Sequence, residues 1–396
     1  MSISRLGTGV SWSCEPAPRA VVAVPAKDEA ERLPACLSAL DKQIDERGRP
    51  LPSGTFGVVF FVNNSRDDSA EIIRRASLHM SVEVRVVEAK LPCELSHAGG
   101  ARRMAMDLAA AWLGERSACE GVLLTTDADS RVAPDWICAN LKAFAQGAEV
   151  VLGQISLDEE GDRLSAALHV RGKLEAVYEG LLNELSVRLD PQDCNPWPHH
   201  STISGASLAL TRALYRRVGG LPLVPLGEDK ALVAELRRCD ARIRFAPEAK
   251  VVTSGRTSGR APGGVADTLL LRNKNPTAPC DETLERCATA YRRALWRGRL
   301  SRAGLANAHR WRERLRVPAA IARRAAAAST FGEAWELIEQ ASPELARRPL
   351  APAELPRQIE AATRLLRRLQ ALAPGNKDVQ TVLVPPIAAA DFNEIA

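Results

Sequence analysis

The sequence lacks the features that mark secreted, membrane-spanning and zinc-cluster proteins. Its nine cysteines are scattered, none forms a C-x-x-C pair, and the closest two, Cys280 and Cys287, are seven positions apart. This spacing argues against a disulfide framework or a zinc module and favours a reducing compartment. No run reaches the roughly 20 apolar residues of a membrane span. The first 20 residues also lack the apolar core of a signal peptide. We therefore expect a cytoplasmic protein.

Aromatic residues and an excess of one charge sign are also scarce. Only 4% of residues are aromatic, and 53 Lys and Arg against 48 Asp and Glu leave a net charge of +5. A stacking surface for single-stranded nucleic acid would need more aromatic side chains, and a polybasic binder more positive charge. We expect no nucleic-acid partner. At 46% hydrophobic and 26% charged, the 396 residues predict a folded chain of two or three domains.

The small positive charge is concentrated in one part of the chain. Residues 281–330 hold 12 Lys and Arg against 4 Asp and Glu. Strand patterns stop near residue 281, and helices are predicted over residues 282–298, 301–315, 318–328, 331–341 and 354–372. Two interpretations stay open for these basic helices. They pack on the preceding domain with arginines in solvent, or they dock on an anionic acceptor or on the inner face of an anionic membrane.

Before residue 281, short apolar strands alternate with helices. Strands are predicted at 20–25, 58–62, 82–87, 121–126, 148–155 and 204–210, with a final pair at 242–245 and 251–252. Helices are predicted at 27–42, 70–78, 99–114, 135–146, 162–189, 212–218 and 226–239. This order indicates an α/β fold with a mostly parallel sheet. The predicted organisation is an N-terminal extension (1–19), an α/β domain (20–280), a helical appendix (281–373) and a C-terminal tail (374–396).

Polar and acidic clusters follow three predicted strands. They are residues 25–29, residues 63–68 and the D-A-D triplet from Asp127 to Asp129. Ligands of open α/β sheets bind beyond the carboxyl ends of the strands. Two carboxylates one residue apart suit a hard divalent cation, which in turn stabilises charge on a departing diphosphate. Ordinary turn chemistry is the alternative for each cluster, since Asn, Asp and Pro all form turns.

A second acidic pair, Glu228 and Asp229, opens a predicted helix. Acidic residues are common there because they stabilise the positive end of the helix dipole. The functional alternative is a general base that takes the proton of an attacking hydroxyl.

Three further segments suit an anionic group. Residues 97–103 place small residues at a helix start before two arginines, and Arg256 and Arg260 lie in a Gly- and Ser-rich loop. His199 and His200 lie in a Pro-rich loop and are candidates to meet an acceptor or a phosphate. For all three segments, solvated loop or helix-entry chemistry is the alternative.

Taken in order, these motifs resemble a known family. The succession V-A-V-P-A-K-D-E, F-V-N-N-S-R-D-D-S, G-G-A-R-R, T-T-D-A-D-S, S-G-A-S-L-A-L-T-R and G-E-D-K-A-L is similar to the inverting family 2 glycosyltransferases of the GT-A fold. The resemblance covers roughly residues 20–260. Asn63-Asn64 stands where many relatives have Asp-Asp, and no His follows the last core strand to act as a third metal ligand. The absence of a Q-x-x-R-W motif argues against a processive polysaccharide synthase.

The resemblance implies a metal-dependent transferase that moves one sugar from a nucleoside-diphosphate sugar to an acceptor hydroxyl with inversion. It implies Asp229 as catalytic base with Glu228 beside it, and Asp129 with Asp127 as ligands of Mn²⁺ or Mg²⁺. The implied nucleotide-sugar contacts are Pro25, Lys27, Glu29, Asn64, Gly100, Arg102, Asp127, Gly205 and Ala206.

Two other functions stay open. A sugar nucleotidyltransferase would need a glycine-rich signature after the first strand, which residues 24–29 lack. A non-catalytic scaffold or nucleotide-sugar sensor would bind a donor without turnover, and the retained Asp127, Asp129 and Asp229 argue against it.

Overall fold

The computed structural model describes residues 18–114, 121–158, 166–255, 265–306 and 308–372. Within them a sheet of eight strands forms the centre of the molecule. In chain order the strands are β1 (Ala20–Ala26), β2 (Phe56–Asn63), β3 (Glu83–Ala89), β4 (Val122–Thr125), β5 (Ser130–Val132), β6 (Val150–Asp158), β7 (Leu208–Thr211) and β8 (Ile243–Ser254).

Helices connect and flank these strands. They are α1 (Leu33–Asp41), α2 (Ser69–Ser77), α3 (Ala98–Gly114), α4 (Trp136–Ala145), α5 (Ala166–Leu189), α6 (Arg212–Arg217), α7 (Glu228–Arg238), α8 (Val265–Lys274), α9 (Cys287–Ala303), α10 (Ala308–Leu315), α11 (Ala319–Ala326), α12 (Phe331–Ala341) and α13 (Leu355–Leu372). A short 3-10 helix, Gly205–Ser207, precedes β7.

The sheet order is β3-β2-β1-β4-β7-β6-β8-β5. Strands β1 to β4 pair in parallel, as do β6 and β8, whereas β7 and β5 run antiparallel to their neighbours. The predicted mostly parallel α/β sheet is confirmed. The carboxyl ends of β1, β2 and β4 lie side by side, so the loops that follow them converge at one edge.

Side chains of the central strands alternate between two hydrophobic cores. Along β1, Val22 and Val24 enter one core, while Val21 and Ala23 enter the other. The first core lies between the sheet and α1, α2 and α4, and the second lies under α3, α6 and α7. Helices on both faces explain why β1 reads as a continuous apolar run in the sequence.

The C-terminal helices pack on earlier parts of the chain. Tyr178 and Leu185 of α5 lie in one apolar cluster with residues of α9 and α13. A second cluster joins α9, α10, α11 and α12. The helical appendix is therefore packed against α5, and the boundary at residues 280 and 281 stays a prediction.

The start of helix α12 is hydrogen-bonded to the end of α7. The Asp240 carboxylate accepts hydrogen bonds from the backbone N–H groups of Phe331 (2.8 Å) and Gly332 (2.7 Å) at the start of α12. The Thr330 hydroxyl donates to the carbonyl of Arg238, in the last turn of α7. The first orphan donors of α12 and a late carbonyl of α7 are thereby satisfied together.

Several sequence-based boundaries were wrong. The helices predicted at 282–298 and 301–315 are α9 (Cys287–Ala303) and α10 (Ala308–Leu315), and two other errors have a clear physical cause. The first helix begins at Leu33 and not at residue 27, because Asp28 has a φ of +52° that a helix cannot contain. The last two predicted strands form the single strand β8. Its register against β6 jumps from Ala246 to Lys250, which leaves Pro247, with no N–H to donate, outside the ladder.

Other elements were missed or lie outside the described residues. The predicted strand at 204–210 begins as the 3-10 helix, and β5 and α8 were not predicted. Residues 1–17 of the predicted extension, the tail from residue 374, and Arg256 and Arg260 are outside the described ranges. Across the residues that were searched, no helix is both long and apolar enough to cross a bilayer.

We predict that Gly332→Ala destabilises the contact between α7 and α12. A Cβ at this position would overlap the backbone carbonyl oxygen of Arg237, and helix backbone yields little. The free energy of unfolding should fall by about 1–3 kcal/mol, measured by urea denaturation. Gly172→Ala on α5, where a Cβ meets open space, is the matched control. The control should be neutral or stabilising. An equal loss of unfolding free energy in both variants would contradict close packing of α12 against α7.

Candidate active site

The guanidinium of Arg102 forms the centre of a hydrogen-bond network at the carboxyl edge of the sheet. Arg102 lies in the second turn of α3 and is 6% exposed. It donates to Asp127 Oδ1 (2.7 Å), Glu228 Oε1 (3.0 Å), Thr125 Oγ1 (3.0 Å) and the carbonyl of Gly205 (3.0 Å). One buried side chain thus joins α3, the end of β4, the 3-10 helix and the start of α7.

Electrostatics keep Arg102 charged. Burial lowers its pKa, but Asp127 and Glu228 outweigh burial, and the net pKa lies above the ordinary value of arginine. An ionised arginine between two carboxylates satisfies both without a water molecule. Removing it would leave buried negative charge without compensation.

Small residues surround Arg102 because the backbone comes very close to it. A Cβ on Gly205 would lie 2.5 Å from Arg102 Cζ. Ala206 is buried, and its N–H donates to Ser204 Oγ at 3.2 Å. A Cβ on Gly100 would overlap the carbonyl oxygen of Leu95. The two glycines, Gly100 and Gly205, are therefore small for a packing reason that holds with or without a donor.

The two acids at the start of α7 have different surroundings. Glu228 is 7% exposed and bound to Arg102. Asp229 is half-buried, and its Oδ2 accepts the backbone N–H of Gly205 at 3.0 Å. Burial, and then the charge of Glu228, raises the pKa of Asp229. Of the pair, Asp229 is the carboxylate that retains access to solvent.

Asp127 and Asp129 follow β4, where the sequence placed them. Burial, followed by the charges of Asp129, Asp127 and Glu29, raises the pKa of the Cys36 thiol. The thiol of Cys36, on α1, donates to the carbonyl of Asp127 at 3.7 Å. Three predicted site residues therefore act electrostatically on one buried cysteine.

The carboxylates of Asp127 and Asp129 offer the oxygen ligands that a hard divalent cation prefers. No set of three His, Cys, Asp or Glu side chains that could hold a metal occurs in the described ranges. Asp127 uses Oδ1 for Arg102, which leaves Oδ2 for a ligand. Mg²⁺ and Mn²⁺ are commonly held by one or two carboxylates, with waters and substrate phosphates completing the shell. Asp127 and Asp129 therefore fit such an ion as a partial ligand set.

Hydrogen bonds connect the loops that follow β1 and β2. Asp28 and Asn64 both have a φ of 52°. The backbone N–H of Asp28 donates to Ser65 Oγ (3.0 Å), and Asp28 Oδ1 accepts the N–H of Arg66 (2.7 Å). A strained residue with positive φ persists only where its surroundings hold it in place. These two hydrogen bonds hold Asp28.

The predicted nucleotide-contacting residues lie along these loops. Pro25 and Lys27 are half-buried at the end of β1, and Glu29 is 7% exposed. Asn64 exchanges two hydrogen bonds with the backbone of Leu91: Nδ2 donates to the carbonyl (3.1 Å), and Oδ1 accepts the N–H (3.0 Å). One N–H and one lone pair of the amide then remain for a ligand.

Part of the chain matches a known protein family. Residues 21–197 match the model of the family described as Glycosyl transferase family 2. This part of the chain is therefore similar to the glycosyl transferase family 2. The match includes Arg102, Asp127 and Asp129 and ends before Asp229. A search of curated proteins finds no match.

Solved structures similar to the chain are glycosyltransferases at low identity. TarS from S. aureus is 14% identical with a TM-score of 0.41, over 72% of this chain and 44% of TarS, so this chain spans less than half of that one. TarS 1-349 in complex with UDP-GlcNAc is 14% identical, with a TM-score of 0.46 and 87% coverage of both chains. The mannosyltransferase PcManGT from Pyrobaculum calidifontis, in complex with GDP-Man and Mn²⁺, is 16% identical with a TM-score of 0.45, over 93% of this chain and 85% of that chain.

The two candidate histidines of the sequence are not part of the Arg102 network. His199 and His200 pack on Phe245 of β8, with ring centroids 5.9 and 5.6 Å away. Burial lowers the pKa of both, that of His200 to about 4. Both rings are therefore neutral near pH 7 and carry no charge for a phosphate.

The sequence analysis missed Thr125, Cys36 and Leu91 as partners of site residues. A polar residue at the end of a buried strand was the available signal for Thr125. No signal marked Cys36, which has the sequence context of an ordinary core residue. Leu91 contributes only backbone atoms to Asn64, and a sequence pattern does not show such contacts.

We predict that Arg102→Met lowers the free energy of unfolding of the chain by about 3 kcal/mol, because Asp127 and Glu228 lose their buried partner. Urea denaturation at neutral pH measures the change. Arg75→Met is the control, since Arg75 pairs with Glu71 on the exposed face of α2, where such pairs stabilise little. A loss no larger than that of the control would contradict the network.

Proposed function

We propose that this chain transfers one sugar from a nucleoside-diphosphate sugar to an acceptor hydroxyl, with inversion at the anomeric carbon. The observation that carries the proposal is the Asp229 carboxylate. It is half-buried, is oriented by the N–H of Gly205, and is joined through Gly205 and Arg102 to Asp127. A base and a diphosphate-side acid are thereby held in one rigid frame inside a family 2 glycosyltransferase fold.

Asp229 acts as the general base. Its carboxylate takes the proton of the acceptor hydroxyl as that oxygen bonds to the anomeric carbon. The bond between the anomeric carbon and the diphosphate oxygen breaks in the same step, so one displacement inverts the configuration. Glu228 neutralises Arg102 and raises the pKa of Asp229, which makes it a positioning residue for the base.

Arg102 positions the site and does not bind the diphosphate directly. Its side chain is 7% exposed, and four protein acceptors use its N–H groups. The donor's base and ribose are assigned to the connected loops that contain Pro25, Lys27, Glu29 and Asn64. The sugar lies nearer the wall formed by Gly205 and Ala206.

A divalent cation is assigned to Asp127 and Asp129. When bound, Mn²⁺ or Mg²⁺ offsets the negative charge that develops on the leaving diphosphate. After burial, the negative charges of Asp129, Asp127 and Glu29 each raise the pKa of the Cys36 thiol, so they act on one region, where a cation would offset them.

We expect Asp229→Asn to lower the transfer rate by roughly 10²–10⁴-fold and to leave donor affinity nearly unchanged. The asparagine oxygen still accepts the N–H of Gly205 but cannot take a proton. Glu235→Gln on the same helix, where Glu235 pairs with Arg238 (3.1 Å), is the matched control. Single-turnover kinetics with each tight-binding donor measures the step, and full activity of Asp229→Asn would remove the base assignment.

The wild-type pH profile provides a second readout. The base must be ionised, and burial raises the pKa of Asp229 above the ordinary 3.8. The rate should therefore fall on acidification at a higher pH than an exposed aspartate would give. A wild-type chain that binds donor and shows no turnover at any pH would instead be a nucleotide-sugar sensor.

We expect Asp129→Ala to abolish the Mn²⁺-dependent part of donor binding. A thermal-shift panel of nucleoside diphosphates and their sugars, with Mn²⁺ or with chelator, tests this, because a ligand at 100 times its Kd stabilises by about 2.7 kcal/mol. The control is Asp193→Ala, whose carboxylate is exposed in the loop after α5. Equal shifts with Mn²⁺ and with chelator in wild type would exclude the metal site.

A further inference from the structure

A groove lies between α9 and α13. Its volume is about 920 Å³, within the range of sites that hold small organic ligands. It shares no residue with the network around Arg102. Its apolar lining consists of Tyr291, Leu295 and Trp296 from α9 with Ala361 and Leu365 from α13.

Arginines line the same groove. Arg286 and Arg292 come from the α9 side, Arg357 and Arg364 come from α13, and Glu354 is the acid among them. Arg286 and Arg364 are 64% and 58% exposed, although each pairs with a glutamate. Arg357 is exposed, and no partner for it is found among the described residues. An apolar groove with a net positive rim selects a ligand with an apolar part and an anionic part.

A smaller cavity adjoins the groove and shares Arg286 and Arg292 with it. Its volume is about 160 Å³. Arg348 and Glu344 complete its charged lining, so three guanidinium groups face one carboxylate. Guanidinium groups bind phosphate oxygens through paired N–H donors. The groove therefore continues into a pocket suited to a phosphate group, which we call the arginine pocket.

We propose that the groove between α9 and α13 binds an anionic phospholipid, with an acyl chain along Tyr291 and Trp296 and the phosphate in the arginine pocket. The apolar lining distinguishes this ligand from a free phosphate or a nucleotide, which would leave the groove unfilled. The site places the chain on an anionic membrane surface and is independent of the transfer reaction proposed above.

The proposal differs from general attraction between basic helices and a membrane. Arg323 and Arg324 on α11 are exposed and belong to the same basic segment, but they line neither cavity. A general electrostatic effect would use them equally. A built site would depend on Arg357 and on the apolar groove.

Cosedimentation of the full-length chain with vesicles tests the site. We expect binding to phosphatidylcholine vesicles that contain phosphatidylglycerol, and none to phosphatidylcholine alone. Arg357→Glu should weaken binding roughly tenfold, and Arg323→Glu should leave it unchanged within about twofold. Equal weakening by both variants, or no binding by wild type, overturns the proposal. Thermal unfolding checks that each variant is folded.

The apolar part of the site has its own test. Ala361→Trp fills the groove without changing charge and should abolish binding of soluble dihexanoyl phosphatidylglycerol, measured by calorimetry. Inorganic phosphate should bind far more weakly than the short-chain lipid. Equal affinity for the two would mean an anion pocket only and would contradict the lipid. Vesicle binding that appears only after removal of residues 373–396 would mean that this segment occupies the groove, and would overturn the proposal for the full chain.

Discussion

The ion pairs of Arg102 with Asp127 and Glu228 are the constraint on which the candidate active site depends. Desolvating an arginine and two carboxylates is costly, and only near-complete pairing offsets that cost. The Thr125 hydroxyl and the Gly205 carbonyl take two of the remaining three donors of the guanidinium. The side chain therefore fixes α3, β4, the 3-10 helix and α7 at one point, and the proposed base Asp229 and the proposed metal ligands Asp127 and Asp129 lie on or directly after two of these elements.

This arrangement separates residues that look equivalent in the sequence. Glu228 and Asp229 are adjacent acids. Glu228 pairs with the buried guanidinium of Arg102, whereas Asp229 keeps access to solvent and has a raised pKa. Arg102 likewise occupies one oxygen of Asp127. Environment therefore assigns the roles, as is usual for paired carboxylates in enzymes.

The sheet, and the edge at which the polar clusters meet, were predictable because both depend on local patterns. Buried parallel strands are continuous apolar runs, and the polar residues that end them must meet at one edge. What could not be predicted depends on contacts between distant backbones. Helix α1 starts later than predicted because Asp28 has a positive φ. Strand β8 was predicted as two strands because Pro247 interrupts its pairing with β6. The amide of Asn64 is hydrogen-bonded to the backbone of Leu91. None of these contacts leaves a signal in neighbouring residues.

The contact between Asp240 and the start of α12 has a consequence for how the chain unfolds. Helix α7 holds the proposed base at its first turn, and its last turn ends against the backbone of Gly332. Opening α12 would uncover the final carbonyls of α7 and free the helix at one end. The helix that carries the proposed base and helix α12 therefore stabilise each other across the change in composition near residue 281.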